Sequence, residues 1–295
     1  MTAALRAVIL AWCLPFGGPA AAQEAPFPGK EPVEITVPGS VADAISRVLA
    51  EGMARQLGVQ VLVVNRPGAG GAIGYKHVAS QKPDGHAAVW ISDTISTSFH
   101  SGQLGFDYHA FDAVARVLVE VPLLAVRGDA KWRSLAELLA DAKLRPGKIS
   151  VGNSGTGGHM HLASVALFRA ANATVDDVAH GAGQVVPSLL SGHVDAAVQP
   201  RGMLSSHVKS GAVRVLAALP LEAWRGIAVP HGTPIGAVAV LESAIRRTVA
   251  SPEFVRASEK YAVRPAYLPS PEFGELIAKE DAELARLMQL VGLKK

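Results

Sequence analysis

The run Asn65-Arg66-Pro67-Gly68-Ala69-Gly70-Gly71-Ala72-Ile73-Gly74 constrains this chain more than any other ten residues. Residues 61–64 before it are uniformly apolar and read as a buried strand. A helix-compatible stretch begins near Ala72. Four glycines between a strand and a helix allow a sharp reversal and bring bare backbone close to whatever occupies the turn. A second loop of this kind, Gly152-Asn153-Ser154-Gly155-Thr156-Gly157-Gly158-His159, lies between a strand at 148–151 and a helix starting near Met160. Two such loops predict a small anion held by backbone N–H groups at helix N-termini.

The rest of the chain repeats the same alternation. Residues 33–37 read as a strand. Val41, Ile45, Val48, Leu49 and Met53 then form one helical face that Gly58 ends. Residues 87–91, 194–198 and 213–218 read as further strands, with a helix at 203–209. Ser134-Leu135-Ala136-Glu137 is a capping-box pattern opening a helix to about Lys143. Pro146-Gly147 predicts a turn, and the apolar run 114–126 a strand crossing between domains. Pro234 and Pro271 stand near helix starts, and Leu276, Ile277, Leu284, Leu287 and Met288 suit one apolar face of a C-terminal helix. Strands alternating with helices mean an α/β fold with largely parallel sheets, whose ligands bind beyond the carboxyl ends of the strands.

Arg6, the apolar run 7–16 and Ala20-Ala21-Ala22 form a signal peptide, so the mature chain is expected to start at Gln23, outside the cytoplasm. Cys13, the single cysteine, falls inside that leader; a disulfide framework and a thiol nucleophile are thereby excluded. Of 28 Lys and Arg only Arg6 is in the leader, and 25 Asp and Glu oppose the rest. A balance of +2, scattered along the chain, with 5% aromatics, is no nucleic-acid footprint. No cofactor motif is present: neither loop completes Gly-x-Gly-x-x-Gly, and no Gly-Lys-Ser/Thr follows either.

Taken in order, several motifs resemble the periplasmic substrate-binding proteins of tripartite tricarboxylate transporters. They are Val64-Asn65-Arg66-Pro67-Gly68-Ala69-Gly70-Gly71 with Ile73-Gly74, Pro83-Asp84-Gly85-His86, Arg145-Pro146-Gly147-Lys148, Asn153 through Ala163, Leu190-Ser191-Gly192-His193-Val194-Asp195, and Trp224 through Pro234. The resemblance implies a two-domain clamshell. A discontinuous first α/β domain would span 23–122 and 225–295, and a second α/β domain 123–224. A small carboxylate-type ligand would lie between them, for delivery to membrane transporter subunits in the periplasm, with a monomer as the default. It departs from the family in two places. Only Pro38-Gly39-Ser40 remains of a longer loop that usually walls the pocket, and Leu221-Glu222-Ala223 joins almost directly to Trp224, so the second domain reads as shortened near 220–224.

The candidate ligand contacts follow. Gly70 and Gly71 present backbone N–H groups, although glycines in such turns often serve positive φ alone. Ser154, Thr156, Gly157 and Gly158 offer hydroxyls and N–H groups at a helix N-terminus, where Ser154 or Thr156 equally suits a helix cap. Ser40 belongs to the expected pocket wall. Ser92 and Thr94 flank Asp93 where the family's first domain faces the cleft, and Asp93 suits an amino or amide group. His159 brings positive charge when protonated. His180 replaces a Tyr-Lys-Gly segment on the second-domain wall. Arg201 follows a strand on the cleft side; Arg66 suits an ion pair instead. His159 and His161 would point about 200° apart on a helix, so no metal site is expected. Two alternatives remain: a secreted hydrolase using Ser154 with one of these histidines, and a decayed, non-transporting paralogue acting as sensor or scavenger. The hydrolase lacks the Gly-x-Ser-x-Gly elbow, since Thr156 replaces its last glycine.

Overall fold

The computed structural model describes residues 27–38, 43–181 and 183–293. The expected leader with Cys13, and the candidate Ser40, lie outside the described residues. Strands and helices alternate as β1 (Val33–Val37), α1 (Asp43–Leu57), β2 (Val61–Asn65), α2 (Ala72–Ala79), β3 (Ala87–Ser92), α3 (Thr94–His100) and β4 (Phe111–Glu120). They continue through β5 (Pro122–Arg127), α4 (Leu135–Leu144), β6 (Ser150–Asn153), α5 (His159–Ala170), β7 (Asp176–Ala179), α6 (Val185–Leu190), β8 (Ala196–Pro200), α7 (Arg201–Lys209) and β9 (Val213–Ala218). The chain closes with β10 (Ala223–Pro230), α8 (Ile235–Val249), α9 (Pro252–Lys260), β11 (Arg264–Pro269) and α10 (Ser270–Leu290).

Two sheets form, in the orders β11-β4-β10-β3-β1-β2 and β7-β6-β8-β5-β9. Parallel pairing is confined to β2-β1-β3 and β7-β6-β8. The strands that cross between sheets, β4 into β5 and β9 into β10, add antiparallel pairs, so the sheets are more mixed than the alternation of elements suggests. The apolar run at 114–126 is accordingly two strands in two sheets, broken at Val121. Pro122 pairs with Pro200 in the second sheet, whereas Ala223 and Trp224 pair with Glu120 and Val119 in the first. Residues 219–222 make the whole return connection, tied down by a 2.9 Å bond between His159 Nε2 and the Leu221 carbonyl.

Each sheet is covered on both faces, which explains the near-continuous apolar runs of its strands. In the first lobe α1, α8 and α9 bury Leu49, Leu241 and Phe254 on one face. On the other, α2, α3 and α10 bury Tyr75, Ile95 and Phe273. The second lobe packs α4 and α5 on one face and α6 and α7 on the other. A separate cluster joins the lobes: Leu162 of α5 against Leu284, Leu287 and Met288 of α10, all at most 3% exposed. Side chains of this size are worth about 1.5–3 kcal/mol each when buried.

Local chemistry fixes the elements as the sequence suggests. Gly58, at φ 72°, closes α1 with its N–H on the Ala54 carbonyl. Ser134 Oγ accepts from the Glu137 N–H at 3.3 Å, while Glu137 reaches back to the Arg133 N–H at 2.6 Å. Gly226 is required for a different reason: a Cβ there would stand 2.4 Å from the Phe273 ring and 2.6 Å from the Ala115 carbonyl. Its absence lets Phe273 lie edge-on to Trp224, with ring centroids 5.2 Å apart.

Candidate functional site

A cleft of about 660 Å³ lies between the lobes. From the first lobe it is lined by the α1 residues Ala44 and Ile45, by Gly68, Gly70 and Gly71 ahead of α2, by Tyr75, and by Trp90, Ser92 and Thr94 of β3 and its exit. The second lobe supplies Pro200, Gly202, Met203 and Ser205 at the start of α7. Leu118, Glu120 and Arg225 form part of its wall on the crossing strands, and Lys260 to Val263 another part from the α9–β11 turn.

Two helix N-termini open on this space, one from each lobe. Gly71, the N-cap of α2, and Pro200, the N-cap of α7, make no side-chain capping bond. Each therefore turns the positive end of its helix dipole toward the cleft, although the Ala72 N–H that opens α2 is spent on the Ala69 carbonyl. The first glycine loop takes this form because residues 68–71 all adopt positive φ, from 47° at Ala69 to 129° at Gly68. A Cβ on Gly71 would also stand 3.0 Å from the Tyr75 ring and 3.2 Å from Pro38. Beside the loop, Tyr75 Oη, Thr94 Oγ1 and Ser92 Oγ form a hydroxyl chain with links of 2.7 and 2.8 Å.

The predicted contacts thus divide. Gly70, Gly71, Ser92 and Thr94 lie on the cleft wall, but the Gly71 N–H expected to meet the ligand donates to the Gly68 carbonyl at 2.9 Å. Arg201 is the first residue of α7 and exposed, with Pro200 and Gly202 of the wall on either side. Ser154, Thr156, Gly157 and Gly158 lie outside the wall. Gly157 instead donates its N–H to His161 Nδ1 at 3.0 Å, and a Cβ there would meet Leu293 at 3.2 Å, so this loop packs against the end of α10. His180 is also outside the wall. Its Nε2 is buried without a partner, as are the amide nitrogen and oxygen of Asn153 and the amide nitrogen of Gln199, all three at the carboxyl ends of second-lobe strands.

His159 corrects the expectation most sharply. It does meet an anion, but that anion is Asp93. The two pair at 2.5 Å across the lobes, with side chains 7% and 1% exposed. Asp93 also receives Arg225 Nη1 at 3.3 Å, and Arg225 Nη2 reaches Glu120 at 2.8 Å. Asp93 therefore offers nothing to an amino group in the cleft. Burial alone would raise its pKa, but His159 and Arg225 outweigh burial and hold the carboxyl below its ordinary range. Burial likewise pushes His159 down, and the attraction and bond to Asp93 reverse this to a net rise. Both partners of the ring, a carboxylate and a carbonyl, are acceptors, so both ring nitrogens donate and the ring is an imidazolium. Glu280, bonded to Trp224 Nε1 at 2.5 Å, is pushed up to about 7 by burial, with the nearby Asp93 charge adding to the rise.

These bonds leave Ser154 without a general base: His159 commits both nitrogens, and His161 Nδ1 accepts from Gly157. The hydrolase arrangement is not assembled. Arg66 makes the expected ion pair, with Glu34 at 3.3 Å. Among the described residues no group of three or more His, Cys, Asp or Glu side chains is placed to hold a metal, and no helix is long and apolar enough to cross a membrane.

Sequence reasoning missed Trp90, Glu120, Arg225 and the 260–263 turn. The available signal was a charge closing or interrupting an apolar strand: Glu120 after Val117-Leu118-Val119, and Arg225 between Trp224 and Gly226-Ile227.

Residues 45–223 match the model of the tripartite tricarboxylate transporter family receptor. A relative from Pseudomonas sp. (strain P51), the UPF0065 protein in the tcbD-tcbE intergenic region, is 30% identical over 78% of this chain and 76% of its own length. A TctC solute-binding protein from Polaromonas, solved without ligand, superposes with a TM-score of 0.80 at 28% identity, covering 89% of this chain and 99% of that one. MatC from Rhodopseudomonas palustris with bound malate shares the fold at 21% identity and a TM-score of 0.68, covering 88% and 99%. The two-lobed architecture is that of the periplasmic binding proteins, and the chain belongs to the tripartite tricarboxylate transporter receptor family.

Proposed function

We propose that this chain is an exported receptor that captures a small carboxylate between its two lobes and hands it to the membrane subunits of a tripartite tricarboxylate-type transporter. The lobes in this reading follow the sheets, exchanging at Val121 and again at 219–222. The observation that carries the reading is the pair of helix N-termini, α2 from one lobe and α7 from the other, that face the same cleft without side-chain caps. A carboxylate between them meets the positive ends of two helix dipoles, one from each lobe, and so favours the closed arrangement. Malate, held by a family-like fold in MatC, is a ligand of this kind. Gly70, Gly71, Ser92 and Thr94 would contact the ligand from the first lobe, and the start of α7, including Arg201, from the second.

A thermal-shift screen against mono-, di- and tricarboxylates tests the proposal. A ligand at one hundred times its Kd adds about 2.7 kcal/mol, which raises the Tm of a chain this size by roughly 5–10 °C. A cooperative melt that no carboxylate moves would contradict the receptor reading.

A further inference from the structure

The lobes also touch on the wall of the cleft itself. Gly202 of α7, in the second lobe, faces the α9–β11 turn of the first. A Cβ on Gly202 would stand 3.1 Å from the Tyr261 carbonyl oxygen and 3.7 Å from the Ala262 Cβ. Gly202, Tyr261 and Ala262 all line the cleft. No backbone requirement puts a glycine at 202. It lies in the first turn of α7, its φ is not left-handed, and glycine weakens a helix relative to alanine. What its missing side chain provides is room for the turn.

The turn is built to hold its shape. Ala262 has φ 54°, a left-handed conformation that a helix end normally gives to glycine or asparagine. Three backbone bonds impose it: the Tyr261 N–H to the Ala257 carbonyl at 2.9 Å, the Ala262 N–H to Glu259 at 3.1 Å and the Val263 N–H to Ser258 at 3.0 Å. Turn and helix therefore part as rigid pieces. Among the described residues no hydrogen bond or ion pair joins them. Ser205 Oγ bonds back to the Gly202 carbonyl within α7, and Lys260 Nζ lies over the ring of its neighbour Tyr261, 5.4 Å from the centroid. The contact is packing alone, unlike the charged pair of His159 and Asp93, and so small an area of packing breaks and re-forms readily.

We propose that the 260–263 turn is a latch on the cleft: it seats on Gly202 when the lobes close over a ligand, and ligand enters and leaves by parting this contact. This rests on the receptor reading above and goes beyond it in naming the contact that governs ligand exchange. A weak closing contact leaves open and closed forms near balance, so the ligand's own contacts with both lobes decide between them.

A removable cross-link tests the latch. The 3.7 Å separation falls in the range of disulfide-bonded Cβ atoms, about 3.5–4.5 Å, and the single native cysteine, Cys13, lies in the expected leader. Gly202→Cys with Ala262→Cys should therefore form a disulfide under oxidised glutathione, read as a mass loss of two hydrogens and a shift on a non-reducing gel. Malate, adipate, citrate and benzoate are then titrated into the oxidised protein and into the same protein after dithiothreitol. For any that binds the reduced form, the disulfide should slow association and dissociation together, each by about tenfold or more, where mere damage to the pocket would change the affinity instead. Gly202→Leu, a wedge at the same contact, should raise the dissociation rate by about fivefold in a chain that still melts cooperatively. Cysteines that stay reduced in the folded chain would overturn the latch, as would exchange rates within about twofold in the two redox states; both leave the receptor reading standing. If none of the four binds the reduced protein, the latch gates nothing and falls, and the wider carboxylate screen decides the receptor reading separately.

Discussion

Replacing His159 by Ala should destabilise this protein more than its position at the first residue of a helix would suggest. The side chain is 7% exposed, pairs with Asp93 at 2.5 Å and donates to the Leu221 carbonyl at 2.9 Å, so one substitution leaves a buried carboxylate and a carbonyl short of a donor. Removing one partner of a buried ion pair costs about 3–5 kcal/mol. Arg225 remains on Asp93 at 3.3 Å and limits the loss, so about 3 kcal/mol is expected, or roughly 6–12 °C in Tm. Asp93→Ala should cost more, because it strands both His159 and Arg225. The double variant should cost less than the sum, with a coupling of about 2 kcal/mol. Urea unfolding followed by far-UV circular dichroism at pH 6 measures all three. The pH dependence has a definite sign. The raised pKa of His159 makes its contribution fully present below about 6.5 and lost as pH rises through the folded value. The depressed pKa of Asp93 makes its contribution present above about 3.8 and lost as pH falls through the folded value. The pair is therefore strongest in mildly acidic solution. Additivity within about 0.5 kcal/mol, or a His159→Ala cost below about 1 kcal/mol, would refute the clasp between the lobes.

Two other perturbations have clear outcomes. Glu280 keeps its proton in the folded state between pH 4.5 and about 7, where the unfolded chain has lost it, so stability should fall by about 2–3 kcal/mol as pH rises across that window. Glu280→Gln keeps an acceptor for Trp224 and should flatten the fall in a series of melts from pH 4.5 to 8. Gly226→Ala places a Cβ against the Phe273 ring and the Ala115 carbonyl, and should cost at least about 3 kcal/mol or prevent soluble expression, which a chemical denaturation curve reads directly.

The parts of the fold visible in the sequence are those that local chemistry decides. The helix of Asp43–Leu57 shows in its apolar spacing and its closing glycine, and α4 in its capping box. Strands β1, β2, β3 and β9 show as apolar runs of the right length. Strand β7 was invisible because Asp176-Asp177-Val178-Ala179 carries two acids on a sheet edge, and β11 because Arg264–Pro269 holds two prolines, which an edge strand tolerates. The site was half legible. The first glycine loop shows in its composition because three of its four positive-φ residues, 68–71, are glycines. The second loop is similarly rich in glycine, but its destination depends on Met288 of α10 and on Leu293 just beyond that helix, more than a hundred residues away, which cover it. Trp90 and Arg225 were hidden for a related reason. Both sit in strands that look like plain core, and only the sheet order brings their ends to the cleft.

The cluster of Leu162 with Leu284, Leu287 and Met288 has a mechanical consequence. The backbone passes between lobes twice, yet α10 starts on the first lobe, with Phe273 under Trp224, and ends on the second. It is a third strap, made of contacts instead of peptide bonds, and it lies on the faces that carry α5 and α10. The cleft extends the other way, toward α1 and α7. A jaw bound at its two crossing strands and along one flank can only swing open on the opposite flank, so ligand entry and exit run past α1 and α7, with the strap as the stationary edge of the motion.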